Sequence, residues 1–401
     1  MALRALRHRN FRLFFAGQLV SLIGTWMQMV AQSWLVYRLT GSSFLLGSVA
    51  FASQIPIFLL AFIGGAVADR FNRHKVVIAT QAAAMALAFI LAILTLTETV
   101  RIWHVFVLSA LLGIVHAFDM PVRQAFIVML VGKDDIMNAI ALNSSLFNGA
   151  RVLGPAVAGM LIASIGEGWC FFANAVSYIA VIAGLLMMKV EPDLGPAHST
   201  TGFRALVEGF IYVRRMRAIH ALLLLLGLIS IMGMPYSVLM PIFADRILQG
   251  GARGLGILMG ATGLGALAGA VSLAVRSHTS GLGKLVVYAC AGFGCSLILF
   301  STSRTFWLSG LFLIPVGFSL MTQMASTNTL IQIMVPDHLR GRVMAMHVMM
   351  FMGMAPFGSF LAGAIAETIG APATVALGGA FCLMGAGIFL SRLPRLQLTN
   401  Q

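Results

Sequence analysis

The stretch Gly64-Gly65-Ala66-Val67-Ala68-Asp69-Arg70-Phe71-Asn72-Arg73-His74-Lys75 decides the fold. An apolar run from Phe44 to Ala68 precedes it, and another from Val76 to Leu96 follows. Between them a carboxylate, two guanidiniums, an imidazole and an ammonium fall within seven residues. Lipid cannot solvate such charges, so they lie at a membrane surface or in a protein-lined cleft. Paired glycines allow one helix to approach another closely. The stretch reads as a charged turn joining two membrane helices.

The rest of the chain agrees. Of its 401 residues, 59% are hydrophobic and only 9% are charged, with a mean hydropathy of +0.95. Soluble domains carry roughly 25% charged residues. At about 20 apolar residues per span, the length suits roughly ten to twelve helices. Twelve segments are expected, at about 13–37, 43–68, 76–97, 102–130, 138–163, 169–188, 219–243, 254–275, 284–302, 306–333, 342–366 and 372–391. They lack the alternation of a membrane barrel. The net charge of +14 lies between apolar runs, so nucleic acid is not expected as a partner. The four cysteines, Cys170, Cys290, Cys295 and Cys382, fall within apolar runs without metal spacing. No phosphate-binding loop is present, so ATP drive, other cofactors and enzyme chemistry are not expected. The first apolar run is too long for a signal peptide and reads as a permanent span.

The longest polar interruption falls midway. Residues 1–190 form one expected six-helix bundle, 191–217 a linker and 218–401 a second bundle. In the linker Phe203, Leu206, Val207, Phe210, Ile211 and Val213 make the apolar stripe of a surface helix. Nineteen Lys and Arg residues fall on the side of the N-terminus and five on the other, with Arg123 and Arg151 inside spans. That asymmetry places both termini in the cytoplasm. The halves also align weakly. Gly113 falls opposite Gly317, and Gly159-x6-Gly166 opposite Gly363-x6-Gly370. Two related six-helix halves are a transporter plan, with the substrate near mid-membrane.

Residues Gly65 to His74 resemble the signature of the major facilitator superfamily, with His74 where a second Arg is common. The resemblance implies an all-α fold of twelve transmembrane helices in two pseudo-symmetric bundles, and a gating role for Gly65, Asp69, Arg70 and Arg73. Arg151 to Gly159 looks like the Gly-Pro signature of exporters in this superfamily, carried by Gly154, Pro155 and Gly159. Phe118 to Phe126, Arg340 to Val343 and Gly353 to Ser359 are similar to the drug- and siderophore-exporter branch, the transmembrane secretion effectors. The resemblance implies a proton-coupled exporter of a small molecule in a bacterial-type inner membrane, working as a monomer among membrane lipids. A lipid or lysolipid flippase is the alternative within transport; an importer is disfavoured by the Gly-Pro signature. A non-transporting sensor on the same fold is a further alternative. The second copy of the charged signature, Val275 to Thr279, lacks an Asp.

Asp119 is the only acid deep within an apolar run. A carboxylate there costs about 2.5–3.5 kcal/mol on insertion scales. Burial and a neighbouring guanidinium act in opposite senses on a carboxylate's affinity for a proton. Asp119 is therefore a proton-coupling candidate. Counting roughly 1.5 Å per residue also brings Asp119 and Arg123 close in depth to Asp69 and Arg70, so locking of the inner gate is the leading role and is compatible with proton carriage. Arg151 lies deeper. It reads as a cation for an anionic substrate group, a partner that tunes Asp119, or a packing anchor. Gln28, Gln32, Asn143, Asn148, Arg151, Gln323 and Thr327 are the substrate-cavity candidates. Helix–helix hydrogen bonding is their plainer role, at about 0.6 kcal/mol each. Nine methionines between Met321 and Met354 suit a broad lipophilic surface.

Overall fold

A computed structural model describes residues 3–190, 210–276 and 281–392. Among them twelve helices are long and apolar enough to cross a membrane. They are α1 (Arg9–Thr40), α2 (Ser43–Arg70), α3 (Arg73–Leu96), α4 (Ile102–Met129), α5 (Ile136–Ile165) and α6 (Glu167–Leu186), then α7 (Arg217–Ile247), α8 (Gly251–Ala274), α9 (Leu282–Thr302), α10 (Phe306–Met334), α11 (Leu339–Ile369) and α12 (Ala371–Arg392). All twelve expected segments are present, lengthened by a few polar residues at most ends. Of the expected linker helix, residues 210–215 are helical; Phe203, Leu206 and Val207 lie outside the described residues. Ser277 to Thr279 do also.

The charged turn is two helix ends set back to back. Only Phe71 and Asn72 separate α2 from α3. The Asn72 carboxamide oxygen caps α3 by accepting the Lys75 N–H at 3.1 Å. Arg73 Nε donates to the Ala68 carbonyl at 3.0 Å, satisfying a terminal carbonyl of α2. His74 points inward: its ring stacks on Phe126 at 5.6 Å, and Nε2 donates to the Leu185 carbonyl at 2.8 Å. The imidazole in place of the usual Arg is thus a packing residue.

The chain divides into two compact units. One comprises Met1–Gly41, Ala52–His198 and Gly251–Gly256; the other comprises Ser42–Phe51, Ser199–Gly250 and Ile257–Gln401. Each half therefore lends the start of one helix to the other unit. In the first unit, α1 packs on α5 and α6, and α3 on α4 and α6. Phe11, Phe14, Val77, Val122, Phe126 and Leu185 form its core. In the second, α9 packs between α10 and α12, with Phe243, Phe293 and Phe300 fully buried. There α7 is broken by wide turns at Ile229–Gly233 and Phe243–Ile247, and α11 by one at Met349–Gly353. Such turns free backbone carbonyls; Ser230 Oγ donates across to the Phe351 carbonyl.

The borrowed helix starts rest on glycine. A Cβ on Gly47 would stand 2.9 Å from the Gly363 Cα, and one on Gly159 would stand 2.9 Å from the Gly256 Cα. Gly159 and Gly363 are the equivalents aligned in the sequence. Seven residues later Gly166 and Gly370 both turn the chain at positive φ, +90° and +84°. Gly113 and Gly317, the other aligned pair, each abut a backbone carbonyl, those of Ser53 and Thr262. The pseudo-symmetry is thus built into backbone contacts within each unit.

Candidate functional site

A buried polar network crosses the first unit. Asp119 lies on α4 and is 2% exposed. Its Oδ1 accepts from Thr80 Oγ1 at 2.8 Å and from Gln81 Nε2 at 2.9 Å. Its Oδ2 lies 3.2 Å from Arg123 Nε, one turn along the same helix. Arg123 Nη1 donates to Gln18 Oε1 of α1 at 3.2 Å. Three helices thus meet on one carboxylate–guanidinium pair. The Thr80 hydroxyl is also 2.9 Å from the Val77 carbonyl. Having one hydrogen, it serves one acceptor at a time. Among the described residues Gln18 Nε2 is buried without a partner.

Sequence reading found Asp119 and Arg123 but not Gln18, Thr80 or Gln81. A signal existed for two of them: Thr80 and Gln81 are the only polar residues between Val76 and Leu94. Two adjacent polar groups in such a run need partners, because lipid supplies none.

The expected gate residues fall into two groups. Asp119 and Arg123 belong to the network just described. Asp69, Arg70 and Arg73 stay at the α2–α3 turn, where Arg73 Nη1 also meets Met129 Sδ at 3.3 Å. Among the described residues no base lies within 4 Å of Asp69 in an ion pair. Thr80 lies seven residues into α3, so the network sits roughly 10 Å deeper than the turn. Of the paired glycines, Gly64 makes the close approach, against the Ala117 carbonyl; a Cβ on Gly65 would meet nothing described within 4 Å.

The cavity candidates also separate. Gln28 is buried, and its Oε1 accepts from Asn174 Nδ2 at 2.7 Å, joining α1 to α6. Gln32 Nε2 donates to Ser109 Oγ at 2.9 Å, joining α1 to α4. In the second unit Gln323 and Thr327 are fully buried and bonded to each other at 3.2 Å. Gln323 Oε1 has no partner among the described residues. Asn143, Asn148 and Arg151 on α5 stay partly exposed. Asn148 Nδ2 donates to the Ser144 carbonyl at 2.9 Å, and the Arg151 guanidinium lies 5.7 Å from the Trp26 ring centre. Gly154 admits that contact, since a Cβ there would collide with Trp26 Cβ. In the motif around Pro155, Gly154 therefore serves the α1 contact and Gly159 the α8 contact.

One polar clasp had no forecast. Glu367, at the end of α11, accepts from Ser43 Oγ at 2.7 Å, the Phe44 N–H at 3.0 Å and Ser42 Oγ at 3.1 Å. It caps the borrowed start of α2 from another helix. Two serines opening a helix were the available signal.

Comparisons with known proteins agree with this architecture. The chain is 27% identical to the Staphyloferrin A transporter of Staphylococcus aureus (strain NCTC 8325 / PS 47), over 96% of this chain and 97% of that protein. It is also 27% identical to the multidrug efflux pump Tap of Mycolicibacterium fortuitum, over 94% of this chain and 95% of that one. Its fold matches the crystal structure of a POT family transporter in complex with 5-aminolevulinic acid, with a TM-score of 0.77 at 13% identity, covering 97% and 96% of the two chains. A family model described as transmembrane secretion effector matches residues 1–401. With twelve apolar spans, two pseudo-symmetric halves and relatives that are transporters and not enzymes, the chain is a multi-pass inner-membrane protein and belongs to the transmembrane secretion effector family of the major facilitator fold.

Proposed function

We propose that this chain is a secondary active transporter exporting lipophilic or amphipathic small molecules in exchange for protons, by alternating access. Asp119 carries the reading. It is a sealed carboxylate in an apolar bundle, and its partners respond to a single proton. When ionised it pairs with Arg123 and accepts two further hydrogen bonds. A proton on Asp119 removes the charge facing Arg123. The Thr80 hydroxyl can then turn its hydrogen to the Val77 carbonyl and accept one from the carboxylic acid. Arg123 keeps Gln18, and its side chain is a quarter exposed, which gives it a way to water. One proton thereby changes what binds α4 to α1 and α3, and such a two-arrangement element is what coupling needs. The turn from Gly65 to Arg73 is the latch in this reading. The drug- and siderophore-like substrate class is that of the relatives, which include a staphyloferrin A transporter and a multidrug efflux pump. The cytoplasmic termini come from the Lys and Arg asymmetry, and one chain is the working unit.

Lipid movement is the second reading. An apolar groove of about 430 Å³ between α2, α3 and α4 is lined by Val67, Phe71, Thr80, Ala83, Ile114 and Phe118. Its apolar lining suits an acyl chain. Proteoliposomes separate the readings, with ethidium as a lipophilic cation, 8-anilinonaphthalene-1-sulfonate as a lipophilic anion and a trapped pH dye. Probe flux that dissipates an imposed pH gradient supports the exporter. Movement of labelled lipid alone supports the flippase, and binding without flux a sensor.

A further inference from the structure

Arg151 stands fifteen residues from the start of α5 and fourteen from its end, roughly 21–22 Å from either. A guanidinium on a flexible stem cannot snorkel that far to an interface. Charge at this depth is costly and needs compensation. Among the described residues of its unit, the chain supplies none. Asp119 pairs with Arg123, Asp135 with Arg4 and His8, and Glu167 with Arg38. Among the described residues no carboxylate pairs with Arg151 within 4 Å, and no acceptor takes a hydrogen bond from its five N–H groups. What holds it is a face: the Trp26 ring, 5.7 Å from the guanidinium carbon. Phe147 meets that ring edge-on at 5.6 Å. Phe147 is 46% exposed, and Trp26 and Arg151 are partly exposed. The cation is thus fixed by stacking, its fork of donors unspent, beside two accessible aromatic surfaces. A packing anchor would spend those donors on a neighbouring helix.

We propose that Arg151 and Trp26, with Phe147, form an anion subsite for an amphipathic organic anion. A carboxylate, sulfonate or phosphate group would take the guanidinium fork in bidentate fashion. A flat or apolar body would lie against Trp26 and Phe147. This inference rests on the transport reading and names a substrate class for it. Its depth sets it apart from lipid headgroups, which stay at the interface.

The test uses purified protein in nanodiscs of zwitterionic lipid, titrated calorimetrically with 1-naphthoate and its neutral isostere 1-naphthamide. The expected result is naphthoate binding on the order of tenfold tighter, with Arg151→Gln erasing the difference. Arg151→Lys guards against misfolding of the Gln variant: it keeps the charge but loses stacking and the fork, so the preference should fall several-fold. Equal binding of the two probes to the unaltered protein overturns the proposal. So does an undiminished preference in either variant, or competition for naphthoate by phosphatidylglycerol, which would assign the cation to a headgroup. Failure of the transport reading looks different: naphthoate would bind through Arg151 with no probe flux in proteoliposomes.

Discussion

Asp119 Oδ2 and Arg123 Nε lie 3.2 Å apart, one turn along α4, with the carboxylate sealed and the guanidinium a quarter exposed. Removing one partner of a buried pair costs about 3–5 kcal/mol. The exposure of Arg123 reduces this, so Asp119→Asn should lose on the order of 2 kcal/mol. Arg123→Gln made in the same chain should recover most of that loss, because no uncompensated cation remains. Thermal unfolding of both variants in detergent checks this, and a double variant less stable than the single one would contradict it.

The glycines of the charged turn separate packing from motion. Gly64→Ala drives a methyl into the Ala117 carbonyl, which should cost about 1–3 kcal/mol. Gly65→Ala meets nothing described and should be neutral or stabilise the helix by up to about 1 kcal/mol. Stable Gly65→Ala protein that transports poorly would place the role of Gly65 in switching. If both variants melt alike, the close approach of α2 to α4 is not where the structure places it.

Gln28 and Asn174 join α1 to α6 through one buried hydrogen bond of 2.7 Å. A double-mutant cycle with alanine should give a coupling of about 0.6 kcal/mol, as for other membrane hydrogen bonds. Probe affinity should not change if the pair serves packing. A large loss of affinity in Gln28→Ala at unchanged stability would return Gln28 to the substrate site.

Glu367 caps the first turn of α2 from the end of α11. Glu367→Ala should cost about 0.5–1 kcal/mol, the low part of the range for a lost cap because the carboxylate is exposed. Glu367→Gln keeps an acceptor and should cost less. Equal melting temperatures for the Ala variant and the unaltered protein would show that the clasp carries no stability.

Periodicity and apolar length made the spans legible, and the fold with them. The aligned glycines were legible because Gly166 and Gly370 need a positive φ and Gly159 and Gly363 a missing Cβ, both of which demand the residue itself. The polar site was only half legible. Asp119 stands out as a lone acid, but its partners Thr80 and Gln81, and Gln18, which Arg123 meets, come from helices whose rotation about their axes the sequence does not state. The same ambiguity left Gln28 open between a cavity and a neighbouring helix, where it bonds Asn174 of α6, and it grouped Asp69 with Asp119 on depth alone. Glu367 was hidden because its role depends on which helix start lies beside it.

In the proposed exchange, the Asp119 proton drives transport. The direct measurement is probe accumulation in proteoliposomes under an imposed pH gradient, compared with probe exchange at equal pH. Asp119→Asn should abolish gradient-driven accumulation while retaining exchange, because substrate binding and switching survive without the coupling proton. Undiminished gradient-driven accumulation in Asp119→Asn would show that Asp119 does not carry the coupling proton.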